Sequence, residues 1–229
     1  MHFLRGTLSL LTAFLFISTV STAQDRTDWI WNPEYSYTWK QSDRLGYNVK
    51  LTLFNSIADL DNRSSIQYVE PQFSFSYGVS TRLKIGGGYY YRWSAPLLDG
   101  YRYEHRFLQQ AGFVNYIGDR RIVHRIRTEQ RIRSSSYKNR IRYRLSYDFP
   151  LEGDRLDPGE KYIILKNEMI AAFNAETGDA ENRASVGLGW FFNRKQKFEI
   201  GLQYRTQDIF SGDGISHLIL FSTSYYLNR

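Results

Sequence analysis

From residue 44 onward, apolar and polar residues alternate with a period of two in one segment after another. No other feature of the chain limits its fold as much. Successive side chains on a strand point to opposite faces, so such a segment is a strand with one apolar and one polar face. Lys197–Arg205 sets Phe198, Ile200, Leu202 and Tyr204 against Lys197, Glu199, Gly201, Gln203 and Arg205. Arg140–Tyr147, Arg183–Phe192 and Arg82–Trp93 repeat the pattern. Longer or less regular candidates are Arg44–Phe54, Ile66–Tyr77, Tyr101–Tyr116, Arg121–Arg133, Lys161–Phe173 and Ser216–Leu227, with an aromatic-rich piece before them at Trp29–Lys40. The chain after residue 24 reads as all-β, with no convincing helix.

Two architectures use such strands. In a secreted sandwich the apolar face is the core; in a membrane barrel it meets lipid and the polar face lines the lumen. Strand length favours the barrel, because most segments reach about ten residues whereas ordinary strands run about 5–6. Aromatics are 17% of the chain, with 18 Tyr and 5 Trp. Trp93, Trp190, Tyr204 and Tyr226 close apolar faces as an interfacial girdle would. The predicted fold is an antiparallel transmembrane β-barrel of the outer-membrane type. Single-chain bacterial barrels usually have even strand counts and both termini on the periplasmic side. Eleven candidates break that parity. Trp29–Lys40, interrupted by Pro33, is therefore set aside, giving about ten strands over a barrel at 44–229. Twelve is the alternative, with 24–43 as an N-terminal segment forming an extra strand or hairpin.

The connections support the same reading. Gly78–Thr81, Gly118–Arg120 and Asn193–Lys195 read as tight turns, whereas Ser94–Gly100, Ser134–Lys138, Ala175–Glu181 and Gln207–Gly214 read as longer outer loops. Pro150–Glu160 is long yet falls on the short-turn side.

The N-terminus reads as an export signal over residues 1–23. Arg5 precedes an apolar run from Leu8 to Phe16, and Ser21-Thr22-Ala23 puts small residues before a cleavage that leaves Gln24 first. The expected location is the bacterial (Gram-negative) outer membrane. There is no cysteine, which removes disulfides, thiolate metal sites and a cysteine nucleophile. The net charge is +7; an exported chain carries it toward outer-membrane lipid and lipopolysaccharide rather than nucleic acid.

The polar faces carry a ladder of charge. Arg102, Glu104 and Arg106 share one face of their strand; Arg125, Arg127, Glu129, Arg131 and Arg133 share one face of the next; Arg140, Arg142 and Arg144 share that of a third. Glu168, Glu199 and Arg205 extend it, and by phase all point inward. Adjacent arginine-rich strands repel unless acids lie between them, and Glu104, Glu129, Glu168 and Glu199 are the expected partners. One reading is a salt-bridged plug filling a small barrel. Another is a basic lumen that binds or passes an anion.

Catalytic signals are absent. The three histidines beyond the export signal are His105, His124 and His217. His105 and His124 fall on the apolar face, which suits an interfacial side chain, or outward-facing lipid chemistry if a nucleophile stood beside them. No nucleophile elbow, zinc spacing or phosphate loop occurs. Gly86-Gly87-Gly88 lies inside a strand, where glycine marks a bend or close packing. Neither cofactor nor metal is expected.

As a set, Glu104-His105-Arg106-Phe107, Arg125-Ile126-Arg127-Thr128-Glu129-Gln130-Arg131, Arg140-Ile141-Arg142-Tyr143-Arg144-Leu145, Asn167-Glu168 and Asn182-Arg183 before Gly187-Leu188-Gly189-Trp190 resemble the bacterial family called domain of unknown function 2490 (DUF2490). The resemblance covers most of the chain after residue 24. It implies a predicted outer-membrane barrel and carries no assigned activity or functional residues. The chain ends Tyr225-Tyr226-Leu227-Asn228-Arg229 rather than on an aromatic residue, a departure from the usual signal to the barrel-assembly machinery. The expectation is an outer-membrane barrel, structural or ligand-binding, with an Arg/Glu-lined, plugged lumen; the alternatives are a small anion channel and a lipid-modifying enzyme.

Overall fold

An alternating segment forms a stable strand only when neighbours take up its backbone groups on both edges, and a closed sheet does this for every strand at once. A computed structural model of the chain describes residues 27–57, 66–96, 101–117, 120–153, 155–210 and 214–229. Residues 1–23, the expected export signal, lie outside the described residues.

The strands are β1 (Thr27–Lys40), β2 (Leu45–Ser56), β3 (Ile66–Gly78), β4 (Leu83–Ser94), β5 (Arg102–Ile117), β6 (Arg120–Arg133), β7 (Ser136–Pro150), β8 (Lys161–Phe173), β9 (Gly178–Asn193), β10 (Gln196–Gln207) and β11 (Ser216–Asn228). They form one closed barrel in which each pairs antiparallel with its sequence neighbours, and β1 pairs with β11 to close it. The described residues contain no helix.

The expected count of ten is corrected to eleven, and Trp29–Lys40 is a full member of the wall. The parity rule holds only when the closing pair is antiparallel. Here it is parallel, from Thr27 opposite His217 to Thr38 opposite Asn228, which an odd count requires. The expectation of both strand ends on one side fails with it: β1 starts at one rim, here the N-rim, and β11 ends at the other, the C-rim. Pro33, the reason for setting β1 aside, lacks a backbone N–H. The β1–β2 register passes from Trp31 opposite Asn55 to Glu34 opposite Thr52, with no paired residue between. Asn32 makes up the missing donor: its side-chain Nδ2 donates to the Leu53 carbonyl at 2.5 Å.

Two loops are shorter than expected: Ser134–Lys138 shrinks to a turn at residues 134–135 because β7 already begins at Ser136, and Ala175–Glu181 shrinks to residues 174–177 because β9 begins at Gly178. The long C-rim connection after Pro150 folds back on the wall. Gly159 N–H donates to the Phe191 carbonyl (2.6 Å) and Phe191 N–H to the Glu160 carbonyl (2.9 Å), so the loop's end extends the ladder along β9.

Inward and outward positions follow the alternation. Ile30, Phe54, Leu108, Glu129 and Leu220 are buried inside, whereas Trp31, Leu51, Phe73, Ile126, Leu165 and Phe221 are exposed outside. Tyr226, expected in the outer girdle, points into the lumen, where its hydroxyl donates to Glu199 at 3.4 Å. The glycine run of β4 is a close-approach site: a Cβ on Gly86 would overlap the Phe75 carbonyl, and one on Gly88 would come within 2.5 Å of the Phe73 carbonyl.

Candidate functional site: the charged lumen

Pairing registers place the ladder. Across β6 and β7, Arg125 sits opposite Arg144 and Arg127 opposite Arg142; across β9 and β10, Arg183 sits opposite Arg205. Across β5 and β6, Arg106 sits opposite Arg131, so four arginine pairs face one lumen, an arrangement that repels unless anions intervene.

Glutamates on the neighbouring strands intervene in two networks. In the first, Glu70 takes Arg92 at 2.6 Å and Arg106 at 3.2 Å. Glu104 takes Arg106, Arg133 and, at 2.7 Å, Arg131. In the second, Glu129 takes Arg142 (2.6 Å) and Arg127 (3.7 Å). Glu168 takes Arg142 (2.5 Å), Arg125 (2.7 Å) and Arg183 (3.9 Å), and Glu181 takes Arg183 (2.6 Å) and Arg140 (3.9 Å). Gln110 adds a neutral acceptor for Arg127 at 2.8 Å. Glu129 is 0% exposed. A buried carboxylate costs heavily unless paired, and here each is held between two or more guanidinium groups, so the networks tie β3 through β9 together.

Glu199 stands apart from the arginines. It accepts from the Tyr162 hydroxyl at 2.7 Å and from Lys166 at 3.2 Å, near the C-rim. The Tyr162 ring lies over Gly189, where a Cβ would overlap it. Gly189 thus lets this buried ring fill the lumen. Arg102, at the N-rim end of β5, is exposed. Glu70 and Glu181 are site residues that sequence reasoning missed. Their signal was phase alone: Glu70 shares its face with Gln72, and Glu181 with Arg183.

The far wall is different. Ile30, Phe54 and Leu220 form an apolar cluster inside the barrel, with Tyr68 and Leu218 packed on it. The Arg92 guanidinium lies 3.6 Å from the centroid of the Tyr68 ring. Between the walls is a cavity of about 420 Å³. Ten arginines and Lys50 line it, against Glu34, Glu70 and Glu168. With the buried Glu104, Glu129 and Glu181 behind them counted, positive charge exceeds negative by five.

The three histidines are on the outer surface, each hydrogen-bonded through Nδ1 to a tyrosine on the adjacent strand. The pairs are His105 with Tyr89 (2.6 Å), His124 with Tyr143 (2.7 Å) and His217 with Tyr204 (2.6 Å). Among the described residues, no group of three or more His, Asp or Glu could hold a metal ion.

A family model described as "Protein of unknown function (DUF2490)" matches residues 28–215. The chain belongs to this family. The match runs from β1 to the edge of β11 and so takes in both glutamate–arginine networks. No curated protein and no solved structure matches the chain. In this DUF2490 barrel the motif Asn167-Glu168 splits between faces: Glu168 enters the lumen network, and Asn167 pairs outside with Asn182 at 3.2 Å.

Proposed function

We propose that this protein is a non-enzymatic barrel of the Gram-negative outer membrane, exported by a signal peptide over residues 1–23, that spans the bilayer and uses its charge-braced lumen as a binding chamber rather than an open pore. The observation that carries the reading is the outer surface. Every strand exposes large apolar side chains, from Trp29 on β1 through Phe73 on β3 and Met169 on β8 to Phe221 on β11. Soluble monomers rarely expose apolar patches beyond a few hundred Å², and a belt around a closed sheet is what a bilayer solvates.

Aromatic stacking supports the same placement. Tyr37, Trp39, Tyr47 and Phe73 run as successive stacked rings across β1, β2 and β3, and such rings favour the interface. The outward polar side chains pair among themselves, Thr128 and Gln130 with Gln109, and Asn167 with Asn182. That pairing limits the cost of placing them against lipid. The partners on this reading are outer-membrane lipid and lipopolysaccharide, with the barrel-assembly machinery during insertion. Each histidine is hydrogen-bonded to a tyrosine of the adjacent strand, as suits polar side chains at a membrane interface.

Membrane fractionation with planar-bilayer recording tests the proposal. The protein should partition with the outer membrane and show no steady conductance; recovery in the soluble periplasm, or a stable open pore, overturns it. The second reading, an anion-permeable channel, draws on the excess of five positive charges. It requires an anion-selective current that falls in Arg127→Glu or Arg142→Glu. A third, lipid modification, requires a lipid change on expression that disappears when His105, His124 and His217 are replaced together by alanine.

A further inference from the structure

We propose that the lumen is a binding site for a small multivalent oxyanion of the phosphate type, seated against Arg144 and Arg205. The inference rests on the reading of the lumen as a binding chamber and names what the chamber holds.

Three observations carry it. The first is the charge count: the eleven cationic side chains around one cavity exceed the six carboxylates that line or back it by five. Buried charge of one sign is expensive unless a counter-charge joins it.

The second is where the excess sits. Arg144 and Arg205 line the cavity, and neither makes an ion pair among the described residues, whereas Arg125, Arg131, Arg142 and Arg183 each hold a glutamate. Arg144 faces Arg125 across the β6–β7 pair, and Arg205 faces Arg183 across the β9–β10 pair. Arg205 donates from Nε to Gln203 Oε1 at 2.5 Å and lies 5.5 Å from the Phe54 ring centroid.

The third is unspent donors. The buried Nε groups of Arg125, Arg140, Arg142 and Arg144 have no hydrogen-bond acceptor, nor has one terminal nitrogen of Arg106. Buried polar groups are rarely left so, and an unpaired one costs about 1–3 kcal/mol. All five side chains border the same cavity.

A single chloride answers none of this well, since it brings one charge. A phosphate group brings up to two charges and oxygens that accept from a guanidinium fork in pairs. A diphosphate, or a phosphorylated headgroup entering from a rim, brings more. The cavity of about 420 Å³ admits either.

Thermal unfolding of the full-length protein in detergent, read by heat-modifiable gel migration, tests the site. Sodium pyrophosphate is titrated against sodium chloride at equal ionic strength. Phosphatidate in mixed micelles forms a parallel arm against a neutral lipid. Saturable stabilisation by pyrophosphate identifies a water-borne phosphate, and stabilisation by phosphatidate alone identifies a lipid headgroup. Either result supports the site if the Arg144→Gln/Arg205→Gln variant weakens the apparent affinity by at least about tenfold, the loss expected from one charge-assisted hydrogen bond or more. The Arg102→Gln variant, at the exposed rim, should bind as the parent does. Because Arg144 and Arg205 hold no carboxylate, the double variant orphans none and should fold. The parent protein alone also decides: no greater stabilisation by pyrophosphate than by chloride, and none by phosphatidate, overturns the proposal. So does equal weakening by Arg102→Gln. A conducting pore that still binds pyrophosphate would overturn the closed-chamber reading while leaving this site intact.

Discussion

The two sides of the lumen stabilise one barrel by opposite means. On the side built from β3 to β9, glutamates sit between arginines in two networks, with the buried Leu108, Ile164 and Ile170 on the same inward faces. On the side built from β11, β1 and β2, Ile30, Phe54 and Leu220 pack as an apolar patch. Beside the patch, Asn48 donates to Ser36 (2.8 Å) and Thr38 (2.9 Å), and Lys50 pairs with Glu34 (2.7 Å). The contrast shows that a lumen need not be uniformly polar to be filled. The charged side gains specificity from geometry, since each carboxylate has a fixed set of guanidinium partners. The apolar side gains from burial, which tolerates exchange of one hydrophobe for another. The charged side should therefore respond sharply to loss of one acid, and the apolar side in proportion to the volume removed.

The largest effect should come from the charged side. Glu104→Gln takes the counter-charge from Arg131 and Arg133 together and leaves Arg106 with Glu70 alone. Breaking a buried ion pair by removing one partner costs about 3–5 kcal/mol. Urea unfolding of the refolded variant should register a loss of that size; a loss under about 1 kcal/mol would mean that water already screens the network.

Next comes the apolar side. Phe54→Ala removes the ring at the centre of the patch, together with its stacking on Tyr68 at a centroid distance of 4.5 Å. Core substitutions of this type cost about 3–5 kcal/mol. The lower end is expected, because the adjoining cavity lets water take up part of the space. Phe54→Leu should recover most of the loss. If Phe54→Leu and Phe54→Ala unfold at the same urea concentration, the patch is not held by packing and the contrast between the sides collapses.

These two sides were not equally legible in the sequence. Ten of the eleven strands coincide with the segments read as strands, and β1 with the piece at Trp29–Lys40 set aside on parity; the inward phase of Arg125, Arg127, Arg142 and Glu129 could be read directly. That worked because period-two alternation is local and needs no knowledge of neighbours. Two things were not local. Parity depends on how the first strand meets the last, and the parallel β1–β11 seam leaves no mark within either strand. Acid–base pairing depends on side-chain reach across strands, so Glu199 looked like an arginine partner on phase alone but lies with Tyr162 and Lys166. The apolar patch was hidden by the same rule, since Ile30, Phe54 and Leu220 share the phase of polar neighbours such as Thr52 and Ser222.

The smallest effect concerns the seam strand. Asn32→Ala should leave the Leu53 carbonyl, which Pro33 cannot serve, without its 2.5 Å donor. An unpaired buried carbonyl costs about 1–3 kcal/mol, and less where water reaches it. Asn32 lines the cavity, so a loss of about 1 kcal/mol is expected. The double change Asn32→Ala/Pro33→Ala separates the causes, because alanine at 33 restores a backbone N–H to β1. If that donor turns toward Leu53, the double variant regains the stability lost by the single one. If both variants are equally weak, the Asn32 side chain serves the lumen rather than the ladder, and tolerance of Pro33 rests instead on the β11 side of the seam, where Pro33 lies opposite Thr223.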